Sequence, residues 1–374
     1  MLDVIVVGAG MMGSAAARHL ALMGAKTALI GPEEPADKHR HTGVFASHYD
    51  AARITRKIDS RPNWSRFSQA AIARYSQIEA AGGVPFFHPV GAIIAGPEAG
   101  AGSAFVQNAL ANAQADGFHF EALRGTTLAD RFPEFAFPDG VLALHEPDAA
   151  GWIDPRAHVA CEIAAAQSAG VALYRTEVTQ LVESAGGVTA RCQDGTKITA
   201  RKAIVACGPF SKAEGLLPDP LPMTVYARTI AFFELGEAEV QRLRRMPSVI
   251  YVPPGGKTDP YILPPVRYPD GKTYIKIGGD PADRVLASVA DMKDWFRTDG
   301  DPQAGAVMAE TLLGLMPDLA SGRVSWLWRS WWLLRGVCCE IAAIVRAFHP
   351  LAAASDRSGA QPRFRLRGVA GPLR

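Results

Sequence analysis

A continuous apolar run near the start of the chain leads directly into three closely spaced glycines. Residues 3–7 are rich in β-branched side chains, as in a strand buried within a parallel sheet. Residues 8–13 read G-x-G-x-x-G, and an apolar helical face follows as far as Gly24. A second strand-like run occupies residues 26–30. This order predicts a strand, helix and strand unit that binds a dinucleotide at the glycine turn.

Each glycine of this turn has its own physical role. Gly8 permits the tight turn, Gly10 lets the backbone approach a diphosphate, and Gly13 lets the helix close onto the strand. The amide groups of Met11 and Met12 would then point from the helix N-terminus at the phosphates. A glycine-rich turn without a ligand is the alternative interpretation.

The acid that usually accepts the ribose hydroxyls at the end of the second strand is missing. Gly31 and Pro32 stand in that place, and Glu33 and Glu34 follow them. Glu33 is either the ribose contact or an exposed acid in a turn, and the sequence favours neither interpretation.

Four later segments follow in an informative order. Residues 47–56 contain S-H-x-x-x-x-R-x-x-R, and residues 146–155 end in Asp154 and Pro155, a helix cap followed by a first-turn proline. Strand-like runs at 171–174 and 203–207 enclose turn signals at 186–187 and 194–195, and the second run ends at Gly208. Residues 274–278 form an alternating strand around Lys276.

With these motifs the chain resembles the D-amino-acid-oxidase superfamily of FAD-dependent oxidoreductases. The resemblance is strongest to the monomeric sarcosine oxidase and N-methyl amino acid oxidase branch, over roughly residues 2–320. It implies an α/β protein, α+β overall, with a Rossmann-like FAD-binding domain and a second, antiparallel-sheet substrate domain. We expect residues 1–83 and 146–220 in the first domain and 84–145 and 221–322 in the second.

The resemblance also assigns roles to individual residues. Arg53 would lie beside the flavin ring, Arg56 would bind the substrate carboxylate, and Lys276 would face the flavin. The remaining FAD contacts that we expect outside the glycine turn are Glu33, Ser47, His48, Val178 and Gly208.

The two arginines are suited to an anion. Arg53 and Arg56 are three positions apart, so on a helical turn they would share a face and present two guanidinium groups to a carboxylate or to the flavin. The alternative is an exposed basic turn, which Asp50 and Asp59 would neutralise.

Lys276 alternates along its strand with Ile275 and Ile277. A desolvated ammonium group there would stabilise the negative charge that develops when reduced flavin meets oxygen. A solvated strand lysine is the alternative. Four positions further on, where the related enzymes have a histidine in the substrate pocket, this chain has Asp280, so the resemblance leaves the substrate open.

We therefore expect an FAD-dependent oxidoreductase that oxidises the C–N bond of a small amino acid, N-alkylated in the branch that the chain resembles, and passes electrons to oxygen or another acceptor. A flavin dehydrogenase of a 2-hydroxy acid shares the fold and the arginines. A nicotinamide enzyme shares the glycine turn. A flavin-binding protein with a defective C-terminal part is a further alternative.

Composition excludes other classes of protein. A formal charge of +2 gives no reason to expect a nucleic acid partner, and no uncharged apolar stretch reaches the length of a membrane span. The five cysteines form no C-x-x-C pair, and the histidines show no metal-ligand spacing, so we expect no metal site. Without a cleavable leader, we expect a cytoplasmic protein.

The segment 323–374 differs from the rest of the chain. It holds nine arginines, no lysine and only two acids, together with four of the seven tryptophans. The resemblance implies that this region brings a glycine-rich turn over the flavin, a lysine that helps to hold the substrate carboxylate and, in some related enzymes, a cysteine that bonds the flavin covalently. None of that pattern is found here, and Cys338 or Cys339 as a chance substitute for the covalent cysteine is the less favoured alternative. We expect an atypical tail, which results either from a changed reading frame near Gly322 or from another replacement of the tail.

Overall fold

The computed structural model describes residues 1–219, 221–255, 259–279 and 282–321. The segment 323–374 and Asp280 lie outside these ranges, and so do the expectations that concern them. The helices are α1 (Met11–Leu22), α2 (Pro62–Ile72), α3 (Tyr75–Gly82), α4 (Ser103–Ala115), α5 (Gly125–Arg131), α6 (Pro155–Ser168), α7 (Glu237–Arg242), α8 (Val289–Arg297), α9 (Pro302–Leu315) and α10 (Asp318–Ser321).

The strands form three sheets. They are β1 (Leu2–Val7), β2 (Thr27–Ile30), β3 (Arg53–Thr55), β4 (Phe87–His88), β5 (Ala92–Pro97), β6 (Glu121–Arg124), β7 (Val141–Glu146), β8 (Gly151–Ile153), β9 (Ala172–Tyr174), β10 (Val178–Ser184), β11 (Gly187–Cys192), β12 (Lys197–Val205), β13 (Ala231–Glu234), β14 (Ser248–Tyr251), β15 (Tyr261–Arg267) and β16 (Thr273–Gly278).

The first sheet has six strands in the order β10-β11-β12-β1-β2-β9. Its centre is parallel, since β1 pairs with β12 and β2, and β2 pairs with β9. Helices α1 and α6 cover one face through an apolar cluster that includes Val6, Ala17 and Ile163. A buried ion pair between Arg18 and Glu162 also joins these helices. The Rossmann-like unit expected from the glycine motif is confirmed.

The second sheet has seven strands in the order β13-β16-β15-β14-β5-β7-β6. Its neighbours are antiparallel except β5 and β14, which run parallel. These two strands are far apart in the chain, so no hairpin fixes their relative direction. The expectation of an antiparallel sheet therefore needs this one correction. A buried apolar cluster, which includes Ile93, Val249 and Ile275, packs one face of the sheet.

A small third sheet has the order β3-β8-β4. Both outer strands pair antiparallel to β8, with Arg53 opposite Ile153 and His88 opposite Trp152. The rings of His88 and Trp152 stack with centroids 3.7 Å apart. Trp152 also packs against apolar residues of the seven-stranded sheet, and this contact fixes the place of β3 beside that sheet.

Helix α6 begins as its sequence predicts. Asp154 is the N-cap, and its carboxylate accepts a hydrogen bond from the Ala157 amide at 3.0 Å, while Pro155 occupies the first turn. The Asp154 amide in turn donates to the Phe86 carbonyl, which ties the start of the helix to the neighbouring segment.

Replacement of Asp154 by alanine should lower the stability of the apoprotein by about 1 kcal/mol, because the capping acceptor is lost. Asp154→Asn keeps an acceptor oxygen and should retain most of the stability. Urea unfolding of both variants, followed by circular dichroism, measures the difference. Equal losses in the two variants would contradict the capping role.

Candidate active site

The glycine turn between β1 and α1 is closely packed at its first and third positions. Gly8 has a φ of +105°, and a Cβ there would lie 2.4 Å from the carbonyl oxygen of Ala206. A Cβ on Gly13 would lie 1.7 Å from the carbonyl oxygen of Gly8. Only glycine fits either position, so the turn holds the N-terminus of α1 against the ends of β1 and β12.

Gly10, by contrast, is surrounded by space. Its φ of −84° suits any residue, and the only atom that the structure places within 4 Å of a built Cβ, among the described residues, is Nδ1 of His48 at 3.6 Å. Gly10 is the N-cap residue of α1, and it has no side chain that could accept a hydrogen bond from the first amide groups of the helix. The first amide groups of a helix have no partner within it, so those of Met11 and Met12 are available at this opening.

His48 borders this opening. Its Nδ1 is buried and has no hydrogen-bond partner within the described residues. Burial, together with the nearby positive charges of Arg156 and Arg53, lowers the pKa of His48 to about 4. The imidazole is therefore neutral at pH 7, with an unpaired nitrogen beside the open side of Gly10. An anionic group with hydrogen-bonding oxygens fits the open space at Gly10 and the amide groups at the N-terminus of α1.

Helix α8 holds the loop that carries Ser47 and His48. Phe45 stacks on Phe296 with ring centroids 4.8 Å apart. The side chains of Lys293 and Arg297 donate to the carbonyl groups of residues 42 and 41. A segment without regular secondary structure is thus fixed at the edge of the parallel sheet.

A cleft of about 430 Å³ lies at the ends of β2 and β9. Pro32, Arg175 and Glu177 are among the residues that line it, and Val178 follows immediately as the buried first residue of β10. Glu33 is mostly exposed and lies 3.4 Å from Arg175 in an ion pair. The structure therefore places Glu33 beside the cleft, with an arginine as its partner.

Gly208 marks the return of the chain to this edge after β12. It has a φ of +56° and begins a short 3-10 turn, and the Ala206 amide just before it donates to the Val7 carbonyl at 2.7 Å. The structure thus brings Gly208 to the same sheet edge as the glycine turn.

The two arginines do not lie on a helical turn, so that expectation is wrong. Residues Arg53–Thr55 form strand β3, because β8 pairs with them in an extended conformation. Arg53 donates to the Ser47 carbonyl, and its Nε lies 3.7 Å from the Asp50 carboxylate. Arg56 donates to Asp59 at 2.5 Å. Each arginine therefore has its own acidic neighbour.

Lys276 is buried, with 2% of its surface exposed, which excludes the solvated alternative. Its Nζ donates to the Asp50 carboxylate at 2.8 Å and to the Ala52 carbonyl. It also lies 5.9 Å from the centre of the Tyr261 ring. Burial lowers the pKa of Lys276, and the negative charge of Asp50 opposes that effect.

Sequence reasoning missed Asp50 as a site residue, although it lies inside the 47–56 motif. Its carboxylate binds Lys276, and the hydroxyl of Tyr268 donates to it at 3.3 Å. The signal was an acid between the histidine and the first arginine of the motif, but nothing local indicates its partners.

The described part of the chain contains no group of three or more His, Cys, Asp or Glu side chains arranged to hold a metal ion. None of its helices is both long enough and apolar enough to cross a membrane.

Comparison with known families identifies this arrangement. Residues 3–345 match the DAO family, described as FAD dependent oxidoreductase. The chain belongs to this family. It is an FAD-dependent oxidoreductase, and FAD is its cofactor. The match continues past Gly322, where the motifs that we recognised end.

Two curated relatives share substantial parts of this flavoprotein. Monomeric sarcosine oxidase of Bacillus sp. is 31% identical over 249 residues, which cover 66% of this chain and 62% of the relative, just under two thirds of its length. N-methyl-L-tryptophan oxidase of Salmonella arizonae is 26% identical over 319 residues, which cover 85% of this chain and 79% of the relative.

Solved structures show the same fold. An open form of NikD, an unusual amino acid oxidase, superposes with a TM-score of 0.65 at 22% identity and covers 84% of this chain and 78% of its own. Glycine oxidase from Bacillus cereus gives a TM-score of 0.62 at 17% identity, with 86% and 80% covered.

The spaces around the glycines separate folding from cofactor binding. Gly13→Ala should lower the thermal midpoint of the apoprotein, because its methyl group overlaps the Gly8 carbonyl. Gly10→Ala should leave that midpoint nearly unchanged and weaken FAD binding by about tenfold or more, or about 1.4 kcal/mol, since its methyl group enters the space of the diphosphate. Apoprotein melting and quenching of flavin fluorescence measure the two effects. A large loss of apoprotein stability in Gly10→Ala would contradict this separation.

Proposed function

We propose that this flavoprotein oxidises the C–N bond of a small N-alkylated amino acid. The observation that carries the proposal is a continuous series of contacts from the glycine turn to two cationic side chains. Gly10 adjoins His48, Arg53 binds the same loop through the Ser47 carbonyl, and Asp50 links Arg53 to Lys276. The names of the two curated relatives support the substrate class.

FAD fits the open side of the glycine turn. Gly8 and Gly13 shape the turn, Gly10 leaves room for the diphosphate, and the amides of Met11 and Met12 would donate to it. The unpaired Nδ1 of His48 is a further hydrogen-bonding atom at this position.

The two ends of FAD would extend in opposite directions from the diphosphate. Glu33 and Val178 flank the cleft that we assign to the adenosine. Ser47 and Gly208 would lie along the path to the flavin ring, with Arg53 beside it.

Arg56 would bind the substrate carboxylate. Its side chain is 19% exposed, and its Nε is buried without a hydrogen-bond partner within the described residues. Asp59 occupies one terminal nitrogen of the guanidinium group. The remaining donors would suit a carboxylate held in a planar, two-point geometry.

Bound FAD supplies the chemistry by accepting a hydride from the carbon next to the amine nitrogen. The protein would position the substrate through Arg56, and Arg53 and Lys276 would supply positive charge to the bound cofactor. Lys276 is suited to assist electron transfer from the reduced cofactor to oxygen, because its charge is desolvated and fixed.

The test is reconstitution of the full chain with FAD, followed by anaerobic addition of candidate substrates while the visible spectrum is recorded. Bleaching of the flavin by sarcosine, proline or N-methyl-L-tryptophan would support the proposal. Bleaching only by 2-hydroxy acids would replace it with the dehydrogenase alternative. Binding of FAD without bleaching by any compound would favour a flavin-binding protein with a defective C-terminal part.

Arg56→Ala should weaken the binding of a carboxylate substrate by about 2–5 kcal/mol, with FAD still bound, because a desolvated charge pair is lost. Substrate titrations of the anaerobic flavin spectrum measure this affinity.

Two variants control this experiment. Asp59→Asn removes the competing carboxylate and should preserve or tighten substrate binding. Arg66→Ala removes an exposed arginine from α2 and should have no effect. If Arg56→Ala binds the substrate as tightly as the unmodified protein, Arg56 is not the anchor.

A further inference from the structure

Asp50 accepts hydrogen bonds from three parts of the chain. Its Oδ1 receives the amides of Ala51 and Ala52 at 2.8 and 3.3 Å and the hydroxyl of Tyr268 at 3.3 Å. Its Oδ2 receives Nζ of Lys276 at 2.8 Å. The side chains of Asp50 and Lys276 are each 3% exposed, so water does not screen this pair.

Among the described residues, the other groups around Lys276 come from residues 52–53 and from the neighbouring strands β13 and β15. The Ala52 carbonyl is a second acceptor, the Tyr261 ring lies on the neighbouring strand β15, and Arg53 is the second cation near Asp50. Phe232 on β13 and Leu263 on β15 stand opposite Lys276 in the sheet register. Asp50 is therefore the carboxylate that directly contacts the ammonium group.

We propose that Asp50 is a positioning residue for Lys276, and that Tyr268 orients Asp50. The inference deepens the proposed function and rests on it for its catalytic meaning. Asp50 and the Ala52 carbonyl together fix two of the three ammonium hydrogens of Lys276, which leaves the third to point away from the loop. Tyr268 holds the other carboxylate oxygen. The Asp50 carboxylate therefore cannot turn towards Arg53 and lose its contact with Lys276.

The same contacts control the charge of Lys276. Burial and the charge of Arg53 lower the pKa of the lysine, whereas Asp50 raises it. Loss of the Asp50 charge removes the opposing effect, so the lysine would lose its proton at a lower pH. Burial and Asp50 raise the pKa of Tyr268 well above its usual value, so the phenol remains a donor throughout this range.

Three variants test the proposal in the FAD-loaded full chain. Asp50→Asn keeps the shape and an acceptor for the two amides but removes the charge. Tyr268→Phe removes only the hydroxyl that orients Asp50. Lys276→Met identifies the lysine signal, because one resonance should disappear from the spectrum of protein labelled with ¹³C at lysine Cε.

The chemical shift of that resonance is followed as the pH is raised. In Asp50→Asn the titration midpoint of Lys276 should fall by about one unit or more, as expected for the loss of an opposite charge at this distance. Tyr268→Phe should shift it in the same direction by a smaller amount. A midpoint unchanged in both variants would overturn the proposal. If Asp50→Asn does not fold, an unchanged midpoint in Tyr268→Phe overturns it alone.

A second measurement separates this inference from the proposed function. FAD in each variant is reduced by light with EDTA as the sacrificial electron donor and without any substrate, and its reoxidation by oxygen is timed across the same pH range. The pH at which the rate falls should move with the lysine midpoint. Should the resonance shift while the rate does not follow, Asp50 still positions Lys276, and the proposed role of Lys276 towards oxygen fails.

Discussion

The buried ion pair between Asp50 and Lys276 joins the two large sheets within the candidate active site. Asp50 belongs to the loop that follows β2 of the parallel sheet, and Lys276 lies on β16 of the seven-stranded sheet. Breaking such a pair by removing one partner typically costs about 3–5 kcal/mol, since a charge is left buried. The loop and the strand therefore cannot shift independently, and the positions of His48 and Arg53 follow from this constraint.

The parallel sheet imposes a second constraint. The carboxyl ends of β1, β2 and β12 meet at one edge, and the glycine turn, the segment after Ile30 and the return at Gly208 all begin there. Ligands of open α/β sheets bind at such an edge. Gly8 and Gly13 fill the edge with backbone, while Gly10 leaves it open, so three glycines with one sequence signature have two different structural functions.

The sequence predicts elements whose signals are local. The β1-α1-β2 unit and the cap of α6 follow from residue patterns within one or two turns of chain. The ion pair of Asp50 and Lys276 joins residues 226 positions apart, and no local pattern encodes such a contact. The spacing of Arg53 and Arg56 in the sequence fits a helix as well as it fits an extended strand. Pairing with β8, a distant strand, decides for the extended form. The parallel pairing of β5 and β14 also joins strands that are far apart in the chain, so no local pattern predicts it.

The acidic neighbours of Arg53 and Arg56 give the two arginines different charge environments. Asp50 already partly neutralises Arg53 and shares its charge with Lys276, so this cluster retains one positive charge within a closed set of contacts. Arg56 has Asp59 as its direct partner, and the charges of Glu146 and Asp259 also act on it. If Arg56 binds the substrate as proposed, the substrate carboxylate must compete with these anions. Its binding energy would therefore depend on the two-point geometry of the guanidinium group more than on net attraction, which favours a compact carboxylate over a diffuse anion.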